Sequence, residues 1–333
     1  MRLGVVVGEQ DPWRFLQDVY DDLVSHYEVN LFCVRHPRLP IFYERVNRGL
    51  LQHDLDAFMK KQDIVFFEWA SGLLAFASHL PKRCPVVVRL HRYEMFQWIP
   101  KINWTFVDKV IFVSQAMRAK FVARFPEHQH KTVVIPVGIA IEKFRTDRTG
   151  QSVGNIGTLC YISPRKRVYE LILAFYELSQ KKSGLRLHIG GGTDPEYGDY
   201  NDALQQIVQK LNLQDKVTFC GEITKPSDFY HNIDIFVSNS YSEGMQVALM
   251  EAMASRCYCL SHFWAGAEEL LPLKNLYSTE SELQEKIIEF YDLPDHAKLD
   301  CQNQLRSLAG ERFDMAQTTV QIRKVIEEVA KST

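Results

Sequence analysis

Short runs of Val, Ile, Leu and Phe recur at residues 3–8, 29–34, 63–69, 86–91, 109–114 and 131–136, separated by stretches with apolar positions at helical spacing. This alternation predicts parallel strands joined by helices. The runs are continuously apolar, so each strand is expected to be covered on both faces. At Pro136-Val-Gly138 and again at Thr146-Asp-Arg-Thr-Gly150 the pattern gives way to turn residues, and a second series follows at 152–159, 185–190, 216–221, 233–239 and 257–261. Helical periodicity in that series spans 168–182, 202–211 and 245–255. The expectation is an α/β chain with two Rossmann-like, doubly wound parallel-sheet domains, residues 1–146 and 147–314. Beyond Gln284 the chain reads as helix almost to its end. Residues 315–333 are expected to rejoin the first domain through a stripe at Val320, Val325, Ile326 and Val329. Ligands of open α/β sheets sit beyond the carboxyl ends of the strands, so two facing sheets are expected to hold a site in the cleft between them.

The length of 333 residues suits two cores of roughly 150 residues each. A hydrophobic share of 46% with 24% charge is that of a soluble globular enzyme. The apolar start, residues 1–8, is too short for a signal peptide, and the apolar stretch 64–80 is broken by Glu68. It also falls short of the ~20 residues a membrane helix needs, so a cytoplasmic location is expected. Seven cysteines without a Cys-x-x-Cys pair read as core thiols in a reducing compartment. Cys257-Tyr-Cys259 has the wrong spacing for zinc, and no Asp-x-Asp ends a strand, so no metal or other cofactor is expected. The net charge of -2 divides unevenly: residues 1–146 carry 20 Lys and Arg against 15 Asp and Glu, and the remainder 19 against 26. A basic first domain suits peripheral attachment to the anionic inner face of a membrane or a phosphorylated acceptor, although ordinary surface scatter gives the same count. No nucleic-acid partner is expected.

The run 233–239 leads into Ser240-Tyr-Ser-Glu-Gly244, with a helix expected from about Met245. The free N–H groups of such a helix start attract anions, and a diphosphate is the natural candidate. Glu243 precedes the helix and Glu251 lies on it. Eight helical residues cover ~12 Å, so the two carboxylates are expected to hold different parts of one extended ligand. Glu251 sits among Ala248, Leu249, Ala252 and Met253. A carboxylate in so apolar a helix needs partners, and vicinal ribose hydroxyls would serve, unless it escapes to solvent beside Ser255. Ser163-Pro-Arg-Lys-Arg167 places three adjacent cations at a helix opening, against the dipole. A bound phosphate accounts for them, and a solvated charge run is the alternative. His91 ends a strand and Gly8 follows another; a structural histidine and a turn glycine are the plainer meanings of each.

Taken in order, these segments resemble the retaining glycosyltransferases of family 4, with the GT-B fold. Ser242-Glu-Gly-Met-Gln-Val-Ala-Leu-Met-Glu-Ala-Met-Ala254 resembles the family's Glu-x7-Glu signature, and Trp264-Ala-Gly-Ala-Glu-Glu269 its later Gly-Gly-x-x-Glu turn. Ile156-Gly-Thr-Leu, Ile162-Ser-Pro-Arg-Lys166 and Leu171-Ile-Leu-Ala-Phe175 resemble its phosphate-binding strand and helix. Phe112-Val-Ser-Gln-Ala-Met117, Val134-Ile-Pro-Val-Gly138 and Glu142-Lys-Phe144 are similar to its approach to the linker. Before Val86 there is little resemblance. Cys160-Tyr161 stands where the family commonly has Gly-Arg, and the glycine-rich first loop is reduced to Gly8-Glu-Gln10.

The resemblance implies transfer of a sugar from a nucleotide diphosphate sugar to a hydroxyl of a carbohydrate, glycolipid or other acceptor, with anomeric configuration kept. It assigns Glu243 and His91 to the donor sugar, Glu251 to the ribose and Lys166 to the diphosphate. The turn amides of Gly244, Met245 and Gln246 complete these contacts, and Arg165 is the replacement for the missing arginine. A sugar-nucleotide epimerase of the same fold and a binding protein without turnover are the alternatives.

Overall fold

The computed structural model describes residues 1–8, 13, 16–34, 43–144, 146–193 and 195–332, without side-chain detail at 43–45. It divides into two compact units, Met1–Gly138 with Met315–Thr333, and Ile139–Asp314.

In the first unit, strands β1 (Arg2–Val6), β2 (Glu28–Phe32), β3 (Ile64–Glu68), β4 (Val86–Leu90), β5 (Lys109–Phe112) and β6 (Thr132–Val134) form one sheet in the order β2-β1-β3-β4-β5-β6. Every pairing is parallel. The helices between them are α1 (Gln17–His26), α2 (Tyr43–Met59), α3 (Gly72–Ala77), α4 (Glu94–Gln97) and α5 (Gln115–Arg124). Alternation along β4 explains its continuously apolar sequence: Val86, Val88 and Leu90 enter one core and Val87 the other. Both faces are covered, as helical crossovers require.

The second unit holds β7 (Asn155–Leu159), β8 (Arg186–Gly190), β9 (Val217–Gly221), β10 (Ile235–Ser238), β11 (Tyr258–His262) and β12 (Leu276–Tyr277) in the order β12-β11-β10-β7-β8-β9. All pairings are again parallel. Its helices are α6 (Val168–Lys181), α7 (Gly198–Lys210), α8 (Pro226–His231), α9 (Val247–Ala254), α10 (Glu280–Asp292) and α11 (Asp295–Phe313). Numbered from β7, this is the dinucleotide-fold order 3-2-1-4-5-6, whereas the first sheet has the flavodoxin-like order 2-1-3-4-5 with one more strand. In the second unit the strand order therefore reverses between β7 and β10, where a ligand crevice opens.

Two sequence expectations shift. The first unit ends at Gly138 rather than Thr146. Thr146 donates its hydroxyl to the Ser255 carbonyl at 2.7 Å, and Arg148 reaches the Tyr230 and Ile233 carbonyls at 2.7 Å, which ties this stretch to the second unit. The last helix, α12 (Met315–Lys331), belongs to the first unit, but Val320 faces solvent. The buried stripe runs through Thr318, Ile322, Val325 and Ile326. Val320 is five residues from Val325, which at 3.6 residues per turn puts it on another face. Gly138 lies so near α12 that a Cβ there would meet Met315 Cα at 2.6 Å. No described helix is long and apolar enough to cross a membrane.

Candidate active site

The loops after β7 and β10, the two strands flanking the reversal in the second sheet, converge. Lys166 Nζ lies 2.5 Å from Glu243 Oε1, and Arg165 donates to the same oxygen at 2.8 Å. Arg165 also donates to the Ser242 carbonyl at 2.7 Å, while the Tyr241 N–H donates to the Arg165 carbonyl at 3.3 Å. Loop is thus tied to loop by main chain as well as charge. Burial by itself would raise the Glu243 carboxyl, but the Lys166 and Arg165 cations outweigh it and hold it below the usual carboxylate range.

The three adjacent cations do not act together. Pro164–Lys166 forms a tight turn, Arg167 takes a left-handed conformation at φ 52°, and only then does α6 begin. Arg167 accordingly faces away, donating to Glu280 at 2.7 Å. Two cations of the three meet Glu243.

Helix α9 starts at Val247, two residues after the expected Met245. Gly244, Met245 and Gln246 form the loop before it, and within the first turn of α9 the Leu249 N–H donates to the Gln246 carbonyl at 3.2 Å. The buried Gln246 side chain is turned inward to accept from the Ser238 hydroxyl, and its carbonyl accepts from the Leu249 and Met250 N–H groups at 3.2 and 3.3 Å. Glu251, half-buried on α9, accepts from the Tyr230 hydroxyl at 2.9 Å. Burial, and then the Glu251 charge, push the Tyr230 hydroxyl far up, so it remains a donor. Tyr230 is not legible as a site residue along the chain, because an aromatic residue on a short helix reads as core.

A further strand end contributes backbone. Gly191, at φ 123° beyond β8, lies so close to the loop after β7 that a Cβ would sit 1.8 Å from the Cys160 carbonyl oxygen. Tyr161 is 53% exposed.

The remaining predicted residues lie in the first unit. His91 follows β4, buried, with Nε2 2.9 Å from Glu68 Oε1. Gly8 follows β1; Glu9 and Gln10 lie outside the described residues. Among the described residues no three His, Cys, Asp or Glu side chains gather as a metal site.

Residues 156–299 match the model of "Glycosyl transferases group 1", and residues 5–143 that of "Glycosyltransferase Family 4". Together they span most of both units. The chain belongs to the glycosyltransferases that these two models describe. The second match begins well before Val86, where motif reading found little likeness.

One relative of this glycosyltransferase is the Streptococcus pneumoniae alpha-monoglucosyldiacylglycerol synthase, 27% identical over a match covering 90% of this chain and 76% of that protein. Another is the GtfA subunit of the UDP-N-acetylglucosamine–peptide N-acetylglucosaminyltransferase from the same species, 25% identical. That match covers 71% of this chain and 48% of the relative, so the chain spans about half of that protein's length. Anabaena HepE, solved in complex with UDP, shares the GT-B glycosyltransferase fold with a TM-score of 0.82 at 19% identity, covering 98% of this chain and 100% of that one.

Proposed function

We propose that this glycosyltransferase moves a sugar from a UDP-sugar to a hydroxyl acceptor and keeps the anomeric configuration. The observation that carries the reading is the meeting of Lys166 and Arg165 with Glu243 at the reversal of the second sheet, beside the start of α9. Two cations and a helix start suit a diphosphate. Glu251, oriented by Tyr230, suits the ribose hydroxyls. UDP is chosen because one relative is named for a UDP-sugar and the solved Anabaena protein holds UDP.

In this reading the diphosphate draws Lys166 and Arg165, and Glu243 turns its carboxylate to hydroxyls of the sugar. Both cations, with the amides of Gly244, Met245 and Gln246, stabilise charge growing on the leaving phosphate. That phosphate takes the acceptor proton on the face it leaves, so no enzyme nucleophile and no metal are needed. Arg165 supplies the second cation that Tyr161 cannot. His91 is assigned to the transferred sugar, and Gly8 to close backbone approach at the donor phosphate, on the family resemblance alone. A glycolipid acceptor is favoured by the lipid-modifying relative and by the basic balance of the first 146 residues, which also favours peripheral contact with anionic lipid.

The test is a thermal-shift screen over UDP, GDP, ADP and TDP, followed by incubation of UDP-glucose and UDP-N-acetylglucosamine with diacylglycerol and sugar acceptors, with and without chelator. UDP at 100 times its Kd should add about 2.7 kcal/mol of stability. The product should carry the donor's anomeric configuration. Shifts with none of the four nucleotides, an inverted product or loss of activity in chelator each overturn part of the reading. Conversion of the donor sugar without acceptor would favour an epimerase instead.

A further inference from the structure

A second buried charge network stands at the carboxyl end of the first sheet, and the donor chemistry proposed above leaves most of it without a role. Glu68 ends β3, and Arg89 of β4 is its register partner. Residues 64, 66 and 68 of β3 share one face, as do 87, 89 and 91 at β4, so carboxylate, guanidinium and imidazole point the same way. Arg89 grips Glu68 with two nitrogens: Nε lies 3.0 and 2.9 Å from Oε1 and Oε2, and a terminal nitrogen 2.7 Å from Oε1. His91 Nε2 reaches Oε1 at 2.9 Å. Trp69 follows Glu68 with its backbone at φ 76°, a strained setting for so large a residue. Its N–H donates to the Arg89 carbonyl at 3.1 Å, and its ring lies 4.0 Å from the imidazole at 31°.

Stability does not account for this arrangement. Well-packed apolar residues replace a buried ion pair at little or no loss, and a left-handed tryptophan costs about 1–3 kcal/mol. What the network does supply is a fixed imidazole. A carboxylate gripped by arginine can only accept, so the Nε2 that faces it must carry a proton. In the neutral ring Nδ1 is then the acceptor.

We propose that Glu68 is a positioning residue: with Arg89 as counter-ion and Trp69 against the ring, it fixes the orientation of the His91 imidazole and locks it as the Nε2–H tautomer. The proposal rests on the assignment of His91 to the transferred sugar.

The first test needs no ligand. Nitrogen-15 NMR of histidine-labelled protein, with His91 identified by the signal lost in His91→Ala, should show a protonated Nε2 and an unprotonated Nδ1 at neutral pH. The reverse tautomer, a ring averaging between both, or a fully protonated ring overturns the proposal, even if no Glu68 variant folds. The second test is a double-mutant cycle on kcat/KM, with UDP-glucose as the probe. Glu68→Gln should cost about tenfold in the parent chain and nothing further in His91→Ala. Equal losses in both backgrounds would mean Glu68 only supports the fold, which ends the positioning role and leaves the His91 assignment standing. A His91→Ala chain as active as the parent withdraws that assignment, and this proposal with it, whatever the tautomer.

Discussion

The two units each end a sheet on a carboxylate held by two nitrogen bases, and the two clusters differ in how far water reaches them. Around Glu68, the Arg89 side chain is 1% exposed; around Glu243, the Arg165 side chain is 28% exposed and arrives on a loop. The first cluster grows out of paired strands, in register, with both charges sealed under helices. The second is assembled from two turns beyond the strands. A sealed pair cannot exchange partners without leaving a bare charge in a low-dielectric core. A pair at a loop surface can trade its carboxylate for a phosphate at modest cost. The same chemistry thus serves to hold a side chain in one unit and is available to bind a ligand in the other.

Breaking the sealed pair should have the largest effect. Arg89→Met takes away the guanidinium that grips the buried Glu68 and should destabilise the first unit by about 3–5 kcal/mol, read from denaturant unfolding. A loss under 1 kcal/mol would mean water reaches Glu68 and would dissolve the contrast. Next comes pH. Burial pushes the neighbouring Glu94 carboxyl up to about 8 from an ordinary 4.5. The folded chain then keeps a proton that the unfolded chain releases. The Glu94 contribution to stability therefore falls as pH rises between 4.5 and about 8, by up to ~1.4 kcal/mol per pH unit. Glu94→Gln should remove that slope; unchanged pH dependence of the unfolding midpoint would show the carboxyl is hydrated.

On the open side the effects should fall on activity. Glu243→Ala should cut transfer by about 10²-fold and lower the melting temperature less than Arg89→Met does, since water reaches the Arg165 side of this cluster although Glu243 itself is buried. A large drop in melting temperature with unaltered kcat would turn the comparison around. The smallest expected effect is Tyr230→Phe, which frees Glu251 from its hydroxyl; UDP affinity by calorimetry should weaken about fivefold, with kcat nearly kept. Wild-type affinity would detach Glu251 from the nucleotide.

Much of the scaffold could be read along the chain. Apolar runs marked eleven of the twelve described strands, the parallel class and the two-unit division, because strands covered on both faces are apolar throughout; the two-residue β12 (Leu276–Tyr277) is too short to leave such a run. Residue types and spacing also offered Glu243, Glu251, Lys166 and Arg165 as candidates, although a glycine turn before a helix is common in α/β chains; that Lys166 and Arg165 both meet Glu243 is visible only in the structure. Val320 was misplaced because composition alone does not set the phase of a helix. Arg167 was grouped with its neighbours because adjacency in sequence says nothing of a left-handed residue that turns one side chain away.

Sequence by itself therefore determined all the described strands but the shortest, which family the motifs resemble, and which charged residues are candidates for a site. Tertiary structure alone decided their partners. Glu68 with Arg89, Glu243 with Lys166, and Glu251 with Tyr230 each join residues that sequence separates, and strand order and register bring them together. Local propensity shapes a strand or a turn, whereas a pairing across the sheet depends on which strands become neighbours, a choice made by the packing of the whole unit.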